Sequence, residues 1–233
     1  MKDEDDGEVM VDPSQEPGML SPYRVLDVTD ERGILCGKIL ADLGADVIQI
    51  EPSGGSSARR IGPFYHDEIH PERSLFWWAY AANKRSITLN LNTQDGRFLL
   101  QRLVKSADFL LESFAPGELA ELGLGYEALA AINPALIVVS ITPFGQDGPY
   151  AQAKASDLVG MGMSGFMYLT GDPDRPPVRV GFPHFYLQGA AAGATGAMLA
   201  HAQRTLTGQG QHVDVSCQEA VARTLANAPQ SYA

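Results

Sequence analysis

Three features of the sequence predict an α/β fold with a mainly parallel sheet flanked by helices. Tyr23 to Ile50 reads strand, helix, strand within about 28 residues, the length of a crossover unit whose two strands must run parallel. The same alternation of strand-like and helix-like runs continues to the end of the chain. Gly and Pro punctuation, as at Pro116-Gly117, Asn133-Pro134 and Gly148-Pro149, falls between the periodic segments rather than inside them.

Taken in order, Tyr23 to Val28 is a short β-prone run. Ile34 to Leu43 has helical spacing and stops at Gly44, and Val47 to Ile50 is a second apolar run. Ser86 to Leu91 alternates like a strand. Thr93 can cap a helix over Gln94 to Ser106, with Phe98, Leu99, Leu103 and Val104 as its apolar face. Phe109 to Leu111 and Leu136 to Ile141 read as buried strands. Between them Pro116-Gly117 opens one short helix, and Tyr126 to Ile132 forms another. Farther on, Asp157 to Leu169 is apolar and Gly-rich, as expected of a closely packed buried helix. Gly171 to Pro177 is a turn-rich loop. Phe185 to Arg204 is a long Ala-rich helix, Gln211 to Ser216 a strand and Gln218 to Ala228 the start of a further helix.

Composition narrows the class. The chain has 233 residues, 45% of them apolar and 19% charged, enough for a substantial core. Of the formal net charge of −11, −6 lies in Met1 to Leu20, where seven acids face Lys2. Residues 1–22 therefore read as an acidic disordered tail, either simply solvated or an electrostatic arm for a partner, followed by one domain over 23–233. No basic block offers a field for nucleic acid or an anionic membrane, and no apolar run approaches the ~20 residues of a membrane span. The acidic N-terminus is neither a secretory nor a mitochondrial signal, and Cys36 and Cys217 form no disulfide framework or metal spacing. A cytoplasmic location is expected.

Chemistry-bearing motifs are sparse. The run Pro52-Ser53-Gly54-Gly55-Ser56-Ser57 before Arg59-Arg60 is either a plain surface loop or a cradle for phosphate or carboxylate; it lacks the spacing of a Walker loop or a dinucleotide fingerprint. His66 and His70 stand four apart without an evident third ligand, so no metal site is expected. No Gly-x-Ser-x-Gly elbow supports a hydrolase triad. Cys36 reads as a small core residue and Cys217 as the end of a strand.

A set of ordered motifs nevertheless resembles the class III CoA-transferase family, the CaiB/BaiF type that includes formyl-CoA transferase and α-methylacyl-CoA racemase. They are Leu26-Asp27; Leu40 to Ile48 leading to Glu51-Pro52; Asn83-Lys84-Arg85-Ser86-Ile87; Phe114-Ala115-Pro116-Gly117 with Leu122-Gly123-Leu124; Phe144 to Pro149; Thr170-Gly171 with Pro176-Pro177-Val178; and Thr207 to Gln211 with Val213-Asp214-Val215. The resemblance covers Tyr23 to about Ala228. It implies a Rossmann-like large domain, normally part of an interlocked dimer of longer chains, so that the small domain and the C-terminal return are expected to be absent here. The implied reaction transfers CoA from an acyl-CoA such as succinyl-CoA to a carboxylic acid. In it an aspartate attacks the thioester, giving an enzyme-bound anhydride and then an enzyme-CoA thioester.

Carried over residue by residue, that aspartate falls 21 positions before Thr207, on Tyr186. Gly196 and Arg204 match the family in the same register. A phenol whose ordinary pKa is ~10 is a poor carboxylate substitute, so no catalytic residue is expected on this chain. The resemblance places CoA contacts at Arg32 and Gly33, at Leu89, Asn90, Leu91 and Asn92, at Ser113, Phe114 and Ala115, and at Ile141, Thr142, Pro143 and Phe144. Positions that are basic in formyl-CoA transferase are here Pro52, Asn92, Glu121 and Thr142, leaving Arg32, Arg59 and Arg60 as compensating cations. Some members of the family pair two homologous subunits, only one of which keeps the aspartate, as in benzylsuccinate CoA-transferase. The Ser74 to Tyr80 and Thr142 to Gly145 segments look closest to that subset. The expected partner is a homologous CoA-transferase subunit, or a second copy of the chain. Two other readings stand beside it: an active homomeric enzyme or racemase using Asp157 or Asp172, and a truncated pseudoenzyme that serves as a binding or assembly module. Packing is preferred over substrate contact for Trp77-Trp78.

Overall fold

The structure is a computed structural model, and it describes residues 18–228. Its elements are β1 (Arg24–Asp27), α1 (Ile34–Asp42), β2 (Asp46–Glu51), α2 (Leu75–Ala81), β3 (Arg85–Thr88), α3 (Gln94–Val104), β4 (Phe109–Glu112), α4 (Glu118–Glu121), α5 (Tyr126–Ile132), β5 (Ile137–Thr142), α6 (Asp157–Met163), α7 (His184–Thr207), β6 (His212–Ser216) and α8 (Cys217–Thr224). The six strands form one sheet in the order β3-β2-β1-β4-β5-β6, and every neighbouring pair is parallel. Right-handed crossover connections require helices on both faces of such a sheet.

The strand residues alternate between two cores, as their period of two requires. Val25, Val47, Phe109, Leu111, Ile137, Val139 and Ile141 pack with α1, α6, α7 and α8 on one face. Leu26, Ile48, Ile50, Leu110 and Val138 pack with α3, α4 and α5 on the other. Helix α7 lies close to the first face because its buried stripe is small: Gly189, Ala190, Gly193, Ala194, Ala197 and Ala200. A Cβ on Gly189 would run into the Cys217 Sγ.

Several expectations need correction. In α3 the buried residues are Gly96, Leu100 and Val104, whereas Phe98 and Leu99 are 58% and 43% exposed. The helix is rotated so that Gly96 meets the Asn90 carbonyl, a contact that admits no Cβ. The expected buried helix over 157–169 is broken at Gly165, which adopts φ +83, and continues as a 3-10 turn over Phe166–Leu169. Its Leu158, Val159, Met163 and Leu169 are exposed among the described residues. Cys217 opens α8 instead of ending β6, and α2, unread in the sequence, is capped by Ser74 accepting the Trp77 N–H. β3 is an edge strand, all four residues exposed. Of the segment read as an acidic tail, residues 1–17 lie outside the described residues. Leu20 is 3% exposed and packs on the α1 face, so the ordered domain already includes 18–22.

Candidate active site

The strand order reverses between β1 and β4: the chain runs outward from β1 through β2 to β3, then returns to β4 and runs outward through β5 to β6. Loops leaving the carboxyl ends of the two central strands diverge there, and ligands of open α/β sheets bind in the crevice that results. A groove of about 220 Å³ occupies this place. Val28 and Ile50 line it together with Leu89, Leu91, Phe114 and Leu122, and Thr29, Asp30, Arg32, Asn90, Asn92, Ser113 and Glu118 are its polar residues. Pro52, Ser56 and Ser57 of the Gly-rich run complete the lining.

The β1–α1 loop that forms one side is held from below. Asp27, fully buried, accepts the Thr29 N–H at 3.0 Å and the Thr29 hydroxyl at 2.6 Å. Its other oxygen takes Lys84 Nζ at 2.7 Å, which also donates to the Ile34 carbonyl at 2.7 Å and to Gln49 Oε1 at 3.0 Å. Asp30 then holds Arg32 through Nε at 2.9 Å, and the Ser113 hydroxyl donates to the same carboxylate at 3.0 Å. Burial opposes the charge on Arg32, but the hydrogen bond and charge of Asp30 outweigh it and raise the pKa. Arg32 is the sole cation among the groove's lining residues; with Asp30 and Glu118 the lining carries one positive and two negative charges.

Among the residues placed at a CoA site by resemblance, Arg32, Leu89, Asn90, Leu91, Asn92, Ser113 and Phe114 come together around this groove. Gly33 follows Arg32 at the start of α1, its Cα side facing Thr29 and Ile141. Ala115 is exposed, and its N–H is taken by Glu118 at 3.2 Å. The β5 end is not gathered in. Ile141 is buried against Gly193 on the α7 face, the Thr142 hydroxyl is buried and unpartnered, and the Pro143 carbonyl accepts the Gln218 N–H at 3.0 Å. Phe144 lines a separate acidic pocket of about 300 Å³ with Asp147, Tyr150, Asp214 and Glu219.

The negative side chains lining the groove are Asp30 and Glu118, with Glu121 not among them, and the compensating cations are fewer than the sequence suggests. Arg59 is locked on Glu51 at 2.6 and 2.8 Å, reaches Glu72 at 2.8 Å and stacks 3.9 Å over Trp77. Arg60 donates to the Gly54 carbonyl at 3.1 Å. The arginines therefore brace the Gly-rich loop. Trp77 is buried in packing while Trp78 is half-exposed, with its indole N–H on the Glu72 carbonyl. Among the described residues no group of three or more His, Cys, Asp or Glu is placed to hold a metal ion, and no helix is long and apolar enough to cross a membrane.

Tyr186 sits in the first turn of α7, half-buried, its hydroxyl donating to the Ala155 carbonyl at 2.9 Å. Burial pushes the phenol up to about 12, against the pull of the nearby Arg32 charge; Asp30 and Asp157 push in the same direction as burial. Asp157 is the acid beside it: one oxygen accepts the Phe185 N–H at 2.9 Å and the other pairs with Arg179 at 3.1 Å. Asp172 lies in an exposed loop, paired with Arg175. Cys217 is buried, its thiol pushed up to about 12 by desolvation, which removes it as a nucleophile.

Sequence reasoning missed Thr29, Asp30 and Glu118 as lining residues, and the Asp27–Lys84 pair beneath them; Ser56 and Ser57 belong to the Gly-rich run that the sequence offered as a possible anion cradle. The polar run Thr29-Asp30-Glu31-Arg32 directly after a strand was the available signal. The Lys84 contact joins residues 57 apart and had none.

Comparison with known proteins bears on this geometry. The chain is 42% identical over 207 residues to a succinyl-CoA–D-citramalate CoA-transferase of Chloroflexus aurantiacus, covering 88% of this chain and 50% of that protein. It is 41% identical over 210 residues to the BbsE subunit of succinyl-CoA:(R)-benzylsuccinate CoA-transferase from Thauera aromatica, covering 90% and 51%. The fold superposes with a TM-score of 0.86 on a crystal structure of a CaiB/BaiF family protein from Brucella suis, at 37% identity, covering 93% of this chain and 58% of the other. The chain thus spans about half the length of the curated relatives it matches. The model of CoA-transferase family III matches residues 20–233, and with these identities the chain belongs to that family.

Proposed function

We propose that this chain is the non-nucleophilic subunit of a heteromeric CoA-transferase that moves CoA from succinyl-CoA to a carboxylic acid. On this reading it binds the CoA moiety at the switch-point groove, and a homologous partner supplies the attacking aspartate. Its setting is the cytoplasm, where two buried free thiols stay reduced. The observation that carries the proposal is Tyr186: the position of the family's aspartate holds a phenol tied to a backbone carbonyl, with its proton held by burial. A neutral phenol cannot form the acyl anhydride that the family's chemistry passes through. The apolar base and amide rim of the groove suit the adenine and pantetheine parts of CoA, and Arg32 is placed for a phosphate. The two relatives that use succinyl-CoA support the donor, and the BbsE relative supports a subunit role.

The test is CoA transfer from succinyl-CoA to benzylsuccinate or citramalate, measured with the chain alone and with a homologous chain that carries the aspartate. Transfer only in the mixture is the expected result. Turnover by this chain alone would overturn the proposal.

One observation favours a second reading. Asp157 reaches the N-terminal turn of α7 one residue from Tyr186, so a carboxylate does stand beside that position. Its two hydrogen-bonding partners stabilise the anion and blunt it as a nucleophile. Asp157→Asn with unchanged partner-dependent turnover disposes of that reading; loss of turnover in a folded variant, together with activity of the chain alone, establishes it.

A further inference from the structure

The Gly-rich run after β2 has the composition of an anion cradle, and the structure shows what fills it. Glu51, the last residue of β2, is 4% exposed. One of its carboxylate oxygens accepts the Ser56 N–H at 2.8 Å and Arg59 Nε at 2.6 Å; the other accepts Arg59 Nη2 at 2.8 Å and the Ser86 hydroxyl. Guanidinium and carboxylate thus meet as a two-bond fork. Gly55, at φ +81, permits the close approach: a Cβ there would stand 3.0 Å from Arg59 Cδ and 3.6 Å from Glu51 Oε2. Burial opposes the Glu51 anion, but the bonds from Arg59, Ser86 and the Ser56 N–H outweigh it and lower its pKa. The occupant of the cradle is the chain's own carboxylate.

Neither Glu51 nor Arg59 lines the groove, yet two of its walls hang on Glu51. Ser56, held through its N–H, caps the following turn by accepting the Ala58 N–H at 3.3 Å, and it lines the groove with Pro52 and Ser57. The Glu51 carbonyl accepts the Leu89 N–H at 2.8 Å, and Leu89 opens the lining stretch that runs to Asn92. The Ser57 hydroxyl in turn donates to Glu31 of the β1–α1 loop. Three loops around the groove are therefore tied together, and the buried carboxylate is the anchor of the Gly-rich one.

We propose that Glu51 is the positioning residue of the groove: its carboxylate takes the place of a ligand anion in the Gly-rich loop and, without touching the bound molecule, sets the wall of Pro52, Ser56 and Ser57 against the wall that begins at Leu89. The physical reason is preorganisation. Gly54 and Gly55 have more backbone freedom to lose than any other residue type, and a loop ordered before the ligand arrives spares binding that cost. Arg59 is withheld from any phosphate, which leaves Arg32 as the cation that meets one.

This rests on the reading that the groove receives the CoA moiety, and the test separates the two. Coenzyme A is titrated calorimetrically into the full chain, wild type and Glu51→Ala, with and without sodium formate. Removing the carboxylate is expected to weaken binding about tenfold or more. Formate, a carboxylate small enough for the space vacated between Arg59 and Ser56, is expected to restore it, whereas chloride at equal ionic strength is not. Arg59 lies 3.9 Å over Trp77, and Trp77 and Trp78 are the chain's two tryptophans, so their emission follows the guanidinium. In Glu51→Ala that emission is expected to change with formate at the same midpoint as the affinity. Wild-type affinity in folded Glu51→Ala, a loss that formate leaves unrepaired, or two different midpoints overturns the positioning role and leaves the groove assignment intact. Absence of binding by the wild type overturns both. Should Glu51→Ala fail to fold, the isosteric Glu51→Gln decides. It is expected to bind more weakly and to ignore formate, because its amide fills the space, and wild-type affinity there overturns the role.

Discussion

Replacing Lys84 by Met removes one member of an ion pair whose side chains are 1% and 0% exposed. The ammonium makes three bonds, to Asp27 at 2.7 Å, to the Ile34 carbonyl at 2.7 Å and to Gln49 at 3.0 Å. Without it the Asp27 carboxylate stays buried, supported only by the Thr29 N–H and hydroxyl. Stranding one charge of a buried pair costs about 3–5 kcal/mol, far more than the net worth of the intact pair. For a domain of this size that is a fall in Tm of about 6–20 °C. The assay is urea and thermal unfolding followed by circular dichroism. Adding Asp27→Asn, which is isosteric and neutral, removes the stranded charge while Asn Oδ1 still accepts the Thr29 bonds, so the double variant recovers most of the loss. A single variant that costs less than about 1 kcal/mol, or a double variant less stable than the single, would refute the claim that this pair pins the β1–α1 loop.

Three further outcomes are expected. Tyr186→Phe loses one hydrogen bond to the Ala155 carbonyl, lowering stability by about 0.5–1.5 kcal/mol; partner-dependent CoA transfer stays at the wild-type rate, and a large loss of kcat would give the phenol a chemical role. Cys36 and Cys217, both buried with thiol pKa values raised by desolvation, react with a thiol reagent only as fast as the domain unfolds, so modification rates should follow the denaturant dependence of unfolding. Glu112 holds its proton to about pH 7 in the folded chain and gives it up near its ordinary 4.5 when unfolded. The native state therefore binds more protons in that window, and the group's contribution to stability falls as pH rises from about 4.5 to about 7. The change amounts to about 3 kcal/mol. The difference between wild-type and Glu112→Gln stability curves isolates it, and parallel curves across this window would contradict the assignment.

Much of the fold could be read without coordinates. β1, α1, β2, α5, β5 and α7 fall within a few residues of their sequence reading, since in each the apolar period and the flanking Gly, Pro or Asn agree. The two misread helices show where period alone is ambiguous. Phe98-Leu99-Leu100 offers three adjacent apolar residues, and the one that faces the core is chosen by the clearance between Gly96 and the Asn90 carbonyl. In 157–169 the Gly-rich spacing reads as close packing, while the left-handed turn at Gly165 breaks the helix and leaves its apolar residues outward.

The amino-acid order by itself determined the alternating α/β architecture, the family motifs and the absence of an acid at position 186, because each is a property of local spacing or of a single side chain. The pairing of charges was decided only in three dimensions. Arg59 reads as a free cation in the sequence, yet Glu51 of β2 consumes it, just as Asp27 of β1 consumes Lys84, and among the cations Arg32 alone lines the groove. Glu112 entered no sequence reading, and it is the sheet order that buries it at the end of β4, opposite Ser140. Coulomb energy and desolvation depend on distances through space and on burial, and strands far apart in the chain set both.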